Sequence, residues 1–152
     1  MRHTEMHTYI FITGLIAFSL FYTCKTINKS GPIPTQNQNL IYLKAGRCYG
    51  KCQVYQLKIT ISGLVEFIPE KNFAKLEKST MQLAPEKLVD LMQLIDSTGL
   101  NALESAYLST AKDLQKFEII YQDKMIRFHK MKAPPGLLNL LNYLQKLIAE
   151  QN

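Results

Sequence analysis

The feature that most constrains this chain is an alternation that runs from Val54 to Ile61 and resumes two residues later. In VYQLKITI, Tyr55, Leu57, Ile59 and Ile61 fall on one side, and Gln56, Lys58 and Thr60 on the other. A period of two marks a half-buried strand. Ser62-Gly63 separates it from LVEF, Leu64–Phe67. Two turn residues with a glycine between alternating runs predict a tight hairpin.

The rest of the body extends that pattern. Leu40–Ala45 (LIYLKA) reads as a strand and leads into the loop GRCYGKC, residues 46–52. Pro69 ends the Leu64 strand or marks an edge. Residues 75–83 offer a further strand. Ala84-Pro85 opens a helix, because proline is tolerated in a first turn. Leu88, Leu91, Met92 and Ile95 recur there at helical spacing, and Gly99 is a natural stop. Leu100, Leu103 and Tyr107 suggest a short second helix. Phe117–Gln122, a turn at Asp123-Lys124, and Met125–Lys130 form a second predicted hairpin. Pro134-Pro135 breaks it, and a last helix runs from about Gly136 to Glu150, with Leu137, Leu140, Leu141, Leu144 and Ile148 on one face. Strands that come in hairpins predict an α+β fold: a mainly antiparallel sheet with two or three helices packed on one face.

The first residues read differently. MRHTEMHTYIFITGLIAFSLFYTC, residues 1–24, starts with Arg2 and carries an uncharged, mostly apolar run from Tyr9 to Thr23. Those 15 residues suit a signal-peptide core. They fall short of the roughly 20 that a spanning helix needs. The run closes on Cys24, which resembles the lipid-attachment motif of bacterial lipoproteins. In those proteins the cysteine sulfur receives a diacylglyceryl group and the cysteine becomes the new N-terminus. Phe21, Tyr22 and Thr23 stand where that motif usually has leucine and small residues. An uncleaved signal-anchor and a cleaved soluble protein are the competing readings, and all three place the domain outside the cytosol. Residues 25–38, KTINKSGPIPTQNQ, read as a flexible tether. The expected organisation is a signal peptide over 1–23, a lipid-anchored tether over 24–38 and one α+β domain over 39–152.

Charge adds little. The chain is +6, but its lysines are scattered and no nucleic-acid motif accompanies them. The expected partners are a membrane, reached through the lipid, and a protein or glycan of the cell envelope, with no nucleic acid. No cofactor is expected.

Cys48 and Cys52 are separated by three residues that include Gly50, which allows a tight curl. In an oxidising compartment a structural disulfide is the favoured reading. A metal site would need two further ligands, and the only histidine of the body is His129. A redox pair and a pair of inert thiols stay open as alternatives; the usual redox motif spaces its cysteines by two residues.

The stretch Cys48–Phe67, CYGKCQVYQLKITISGLVEF, resembles a bacterial family called domain of unknown function 6438, whose members are often envelope lipoproteins. The family pattern is Cys, aromatic, Gly, any residue, Cys-Pro, any residue, Tyr, then an apolar strand, a glycine turn and Val-x-Tyr/Phe. Cys48, Tyr49, Gly50, Cys52, Tyr55, Gly63, Val65 and Phe67 match, and Gln53 replaces the proline. KDLQKFEI resembles the family's Thr-Asp-Leu-Pro segment, with Asp113 and Leu114 matching and Gln115 in place of proline. The closing proline and leucine-rich helix, Pro135 to Leu147, also fit. The resemblance implies a fold and an address, and it supplies no activity.

Tyr49, Gly50, Tyr55 and Asp113 are therefore the candidate functional surface, with Cys24 for lipid and Cys48 and Cys52 for a disulfide. Each has a plainer reading. Tyr55 suits the core of its strand, Asp113 suits a turn, His129 suits an exposed rim beside Arg127, and Ser62 lacks a nucleophile elbow. No catalytic set emerges. The expected function is a non-enzymatic envelope module that binds or supports, with a thiol-redox factor or other enzyme built on Cys48 and Cys52 as the alternative.

Overall fold

The structure, a computed structural model, describes residues 38–75 and 77–150. The apolar run before Cys24, Cys24 itself and the tether up to residue 37 lie outside the described residues.

Among the described residues seven strands and two helices follow one another. They are β1 (Asn39–Ala45), β2 (Val54–Thr60), β3 (Leu64–Lys71), β4 (Ser79–Gln82), α1 (Pro85–Thr98), β5 (Ala106–Tyr107), β6 (Lys116–Tyr121), β7 (Lys124–His129) and α2 (Pro135–Ala149). Two 3-10 turns, Leu100–Ala102 and Lys130–Lys132, fill gaps. The strands form one sheet in the order β4-β3-β2-β1-β6-β7-β5. Every pairing is antiparallel except β5 with β7. The expected α+β architecture is what the chain adopts.

Both expected hairpins form, the second with its turn at Gln122-Asp123, one residue before the expected Asp123-Lys124. Gly63 turns the first with φ at 82°, and its N–H donates to Thr60 O at 2.9 Å. The positive φ is what demands glycine; a Cβ there would lie 2.9 Å from Gln82 Nε2, the end of a flexible side chain that can move aside. Gln122, with φ at 53°, turns the second. Pro69 does not end β3, which continues to Lys71. The reason is local: β4 pairs only Leu64 to Phe67, so beyond that point the outer side of β3 is an edge and needs no donor. The short second helix expected around Leu100–Tyr107 is instead a single 3-10 turn and a two-residue strand. Three apolar residues cannot sustain a helix against a pairing with β7 at Arg127 and Phe128.

Ile41, Leu43, Ala45, Leu57, Ile59, Val65, Phe67, Phe117, Ile119, Ile126 and Phe128 line the dry face of the sheet. Leu91 and Ile95 of α1 and Leu137, Leu140, Leu141 and Leu144 of α2 bury against it. Tyr55, Phe67 and Phe73 add an aromatic trio, with ring centres 5.3 to 5.9 Å apart and two of the pairs edge-on. No described helix is long and apolar enough to cross a membrane. One face of the sheet is thus dry, and among the described residues no helix covers the other.

Candidate functional site

The uncovered face takes the even positions of β1 and β2. Tyr42 and Lys44 stand opposite Lys58 and Gln56 on one side. Across β6 they stand opposite Ile120 and Glu118. A hydrogen-bond row crosses three strands here. Tyr42 Oη donates to Gln56 Oε1 at 2.9 Å, and Gln56 Nε2 donates to Glu70 Oε1 at 2.7 Å. Burial, then the carboxylates of Glu118 and Glu70, push the Tyr42 hydroxyl above its ordinary pKa, so it keeps its proton and stays a donor.

Two clefts flank that row. One, of about 480 Å³, is lined by Lys44, Gly46, Arg47, Val54, Glu70, Lys116 and Glu118. The other, of about 420 Å³, is lined by Asn39, Tyr42, Gln56, Lys58, Ile120 and Gln122. Gln56 and Glu70, joined by their hydrogen bond, belong one to each.

Most charges on this face are paired. Glu66 holds Lys58 at 3.3 Å and Lys78 at closer range, and these contacts draw its carboxyl pKa down, the hydrogen bond from Lys78 most. Glu118 holds Lys116 at 3.2 Å and Arg127 at 3.8 Å. Among the described residues Lys44 and Arg47 have no carboxylate within ion-pair distance, although both line the larger cleft.

The cysteine loop borders that cleft. Cys48 and Cys52 are joined by a disulfide, with Cα atoms 5.9 Å apart. The Gly50 N–H donates to Cys48 Sγ at 3.2 Å. Gln115 closes the base of the loop: its Nε2 donates to Gly46 O at 2.9 Å and to Gln53 O at 2.7 Å. The Gly46 N–H donates to Lys116 O at 2.8 Å, and Asn72 Nδ2 donates to Cys52 O at 2.7 Å. Gln53 and Gln115, the two positions where the chain departs from the resembling prolines, therefore meet across the loop base.

The candidate surface named from sequence does not gather in one place. Tyr49 is 90% exposed at the loop tip, beside Gly50. Tyr55 lies in the core, on the helix side of the sheet, where its hydroxyl accepts from Gln145 Nε2 at 3.1 Å. Burial raises its pKa, partly offset by that bond. Asp113 is exposed and makes no hydrogen bond or ion pair among the described residues. The side chain that caps this turn is Ser109, whose Oγ accepts from the Ala111 N–H at 3.3 Å. His129 is not at a rim. It is 8% exposed, and its Nδ1 accepts from the Ser109 N–H at 3.0 Å, so the segment after β5 covers it.

Sequence reading missed Gln56, Glu70, Lys44, Arg47 and Gln115. The outward parity of Gln56 and Lys44 was visible, but their neighbours depend on register between strands. Among the described residues no three metal-ligating side chains cluster.

The sequence model of a family described as Domain of unknown function (DUF6438) matches residues 39–148, well over half of the chain. No curated protein matches it. The chain belongs to the DUF6438 family.

Proposed function

We propose that this member of the family is a non-enzymatic binding module held outside the cytoplasm by a lipid on Cys24. The observation that carries the binding part is the uncovered sheet face, with two clefts meeting at the Tyr42–Gln56–Glu70 row. Clefts of this size suit small polar ligands or the end of a glycan chain. They offer fixed hydrogen-bonding groups, and their described linings set no nucleophile beside a base. The address rests on the sequence: an apolar run that closes on Cys24, and a cysteine pair of the kind that exported domains keep oxidised.

Two experiments test the reading. Cys24→Ser should abolish lipid labelling and release the chain from membranes; unchanged partition would favour a signal-anchor. For binding, amide shifts of the full chain in detergent are followed against a set of saccharides, peptides and small acids. Shifts confined to β1, β2 and β6 are expected. Hits on the helix side, or turnover of a probe, would count against it.

A second reading, thiol–disulfide exchange, has one observation in its favour. The Gly50 N–H points at Cys48 Sγ, where it would stabilise a thiolate. Thiol titration of the purified chain decides it: a pair that stays oxidised in mild reductant rules the exchange out.

A further inference from the structure

The larger cleft holds charged side chains that no counter-ion answers among the described residues. Lys44 stands directly across from Glu118 in the β1–β6 register, yet Glu118 pairs with Lys116 and Arg127 instead. Arg47, one residue before the disulfide, lies at the start of the loop and is exposed. Its backbone is held in place by the bonds at Gly46 on one side and the disulfide on the other. Two cations without carboxylate partners therefore share one cavity of about 480 Å³. The only other charged group there without a counter-ion is Glu70. Its Oε1 accepts from Gln56, and no cation lies within ion-pair distance among the described residues.

The ligand that complements this lining carries an anion at one end and a neutral hydrogen-bond donor at the other. Three cations against two carboxylates leave the lining net positive, so a net negative ligand fits better than a zwitterion. An ammonium placed at Glu70 would also face Lys44 and Arg47 across the same cleft. Hydroxyls meet no such repulsion, and the Gln56 amide and Tyr42 hydroxyl continue a row suited to them.

We infer that this cleft binds an acidic sugar, with its carboxylate or phosphate held by Lys44 and Arg47 and a ring hydroxyl donating to Glu70. The inference rests on the open face being a binding surface, and it does not depend on the lipid anchor. A guanidinium grips a planar carboxylate or a phosphate with two parallel N–H bonds, which a lysine alone cannot do. Arg47 therefore supplies the orientation and Lys44 adds charge.

The test uses the full chain in detergent and four probes: glucuronate, glucose 1-phosphate, glucose and acetate. Affinity is read by calorimetry, and the place of binding by amide shifts. Both acidic sugars should saturate. Glucose and acetate should each bind about tenfold more weakly or worse, since each keeps only half of the contacts. The double variant K44Q/R47Q should weaken glucuronate about tenfold or more and leave glucose unchanged. Lys146→Gln, on α2 and away from the cleft, should change neither. Circular dichroism of each variant checks that the fold is kept. Glucuronate binding unaltered in K44Q/R47Q overturns the inference. Equal binding of glucose and glucuronate, or no saturation by either acidic sugar up to about 10 mM, also overturns it. Where the shifts fall decides what else is lost. Shifts at Tyr42, Gln56 and Gln122 without any at Lys44, Arg47 or Glu70 sink the acidic-sugar site and spare the open face. Shifts nowhere on the sheet sink both.

Discussion

At the scale of single residues, Gln115 is the clearest case of one side chain organising a site. Its amide holds both ends of the cysteine loop, a task that no local signal in KDLQKFEI announces. Gln115→Ala should leave two carbonyls to water and cost about 1 kcal/mol, as is typical of a net hydrogen bond in a partly exposed place. Urea unfolding of the two proteins side by side measures it; equal midpoints would mean that the disulfide alone fixes the loop. The same scale shows why His129 escaped sequence reading. Alternation correctly puts it on the side of Arg127, away from the core, but the segment that covers that side comes from residues 108–115. A residue's parity is written in its own strand, and its cover is written elsewhere.

At the scale of elements, the long alternating and leucine-striped segments were legible and the short ones were not. β2, the turn at Gly63, α1 and α2 all fall within a residue or two of where periodicity puts them. β5 has two residues, too few for any period, and exists because β7 offers it a partner. The cysteine loop sits between these cases. Its disulfide was readable from the spacing of Cys48 and Cys52 and the compartment that the sequence leads one to expect, whereas its position beside a cleft depends on β6 and Glu70. Because the closed loop is so small, removing the bond should cost little, at the low end of about 0–5 kcal/mol. The double variant C48S/C52S is expected to keep its far-UV circular dichroism and to lose amide protection mainly at residues 48–52. Global unfolding on reduction would show that the loop supports far more than itself.

At the scale of the whole described domain, the fold is two layers of unequal character. One layer boundary is a dry core of leucine, isoleucine and phenylalanine, and the other face is a lattice of ion pairs open to water. That lattice makes stability depend on pH in one direction. Lys78 and Lys58 lower the pKa of Glu66 in the folded state. A lowered folded value means that the stabilisation is complete above the ordinary carboxylate value of 4.5 and is lost as pH falls through the folded one. Both lysines are well exposed, so the contribution should be about 0.2–1 kcal/mol. Thermal melts of wild type and Glu66→Gln should therefore differ at pH 7 and converge towards pH 3. A difference that persists in acid would point to lost packing instead. The two-layer architecture itself followed from hairpins and striped helices. Which face would be open and how its charges pair did not, because both depend on the order of strands in space.

That strand order has a mechanical consequence. β1 is the middle strand of seven, hydrogen-bonded to β2 on one side and β6 on the other, and it is where the chain enters the domain. A pull along that strand from the residues before Asn39 loads both ladders in shear. Their bonds must then yield together rather than one after another, as they would in a strand peeled from an edge. The domain should thus resist a pull on its leading end, and its lifetime under load should be set by the rate at which that central strand lets go.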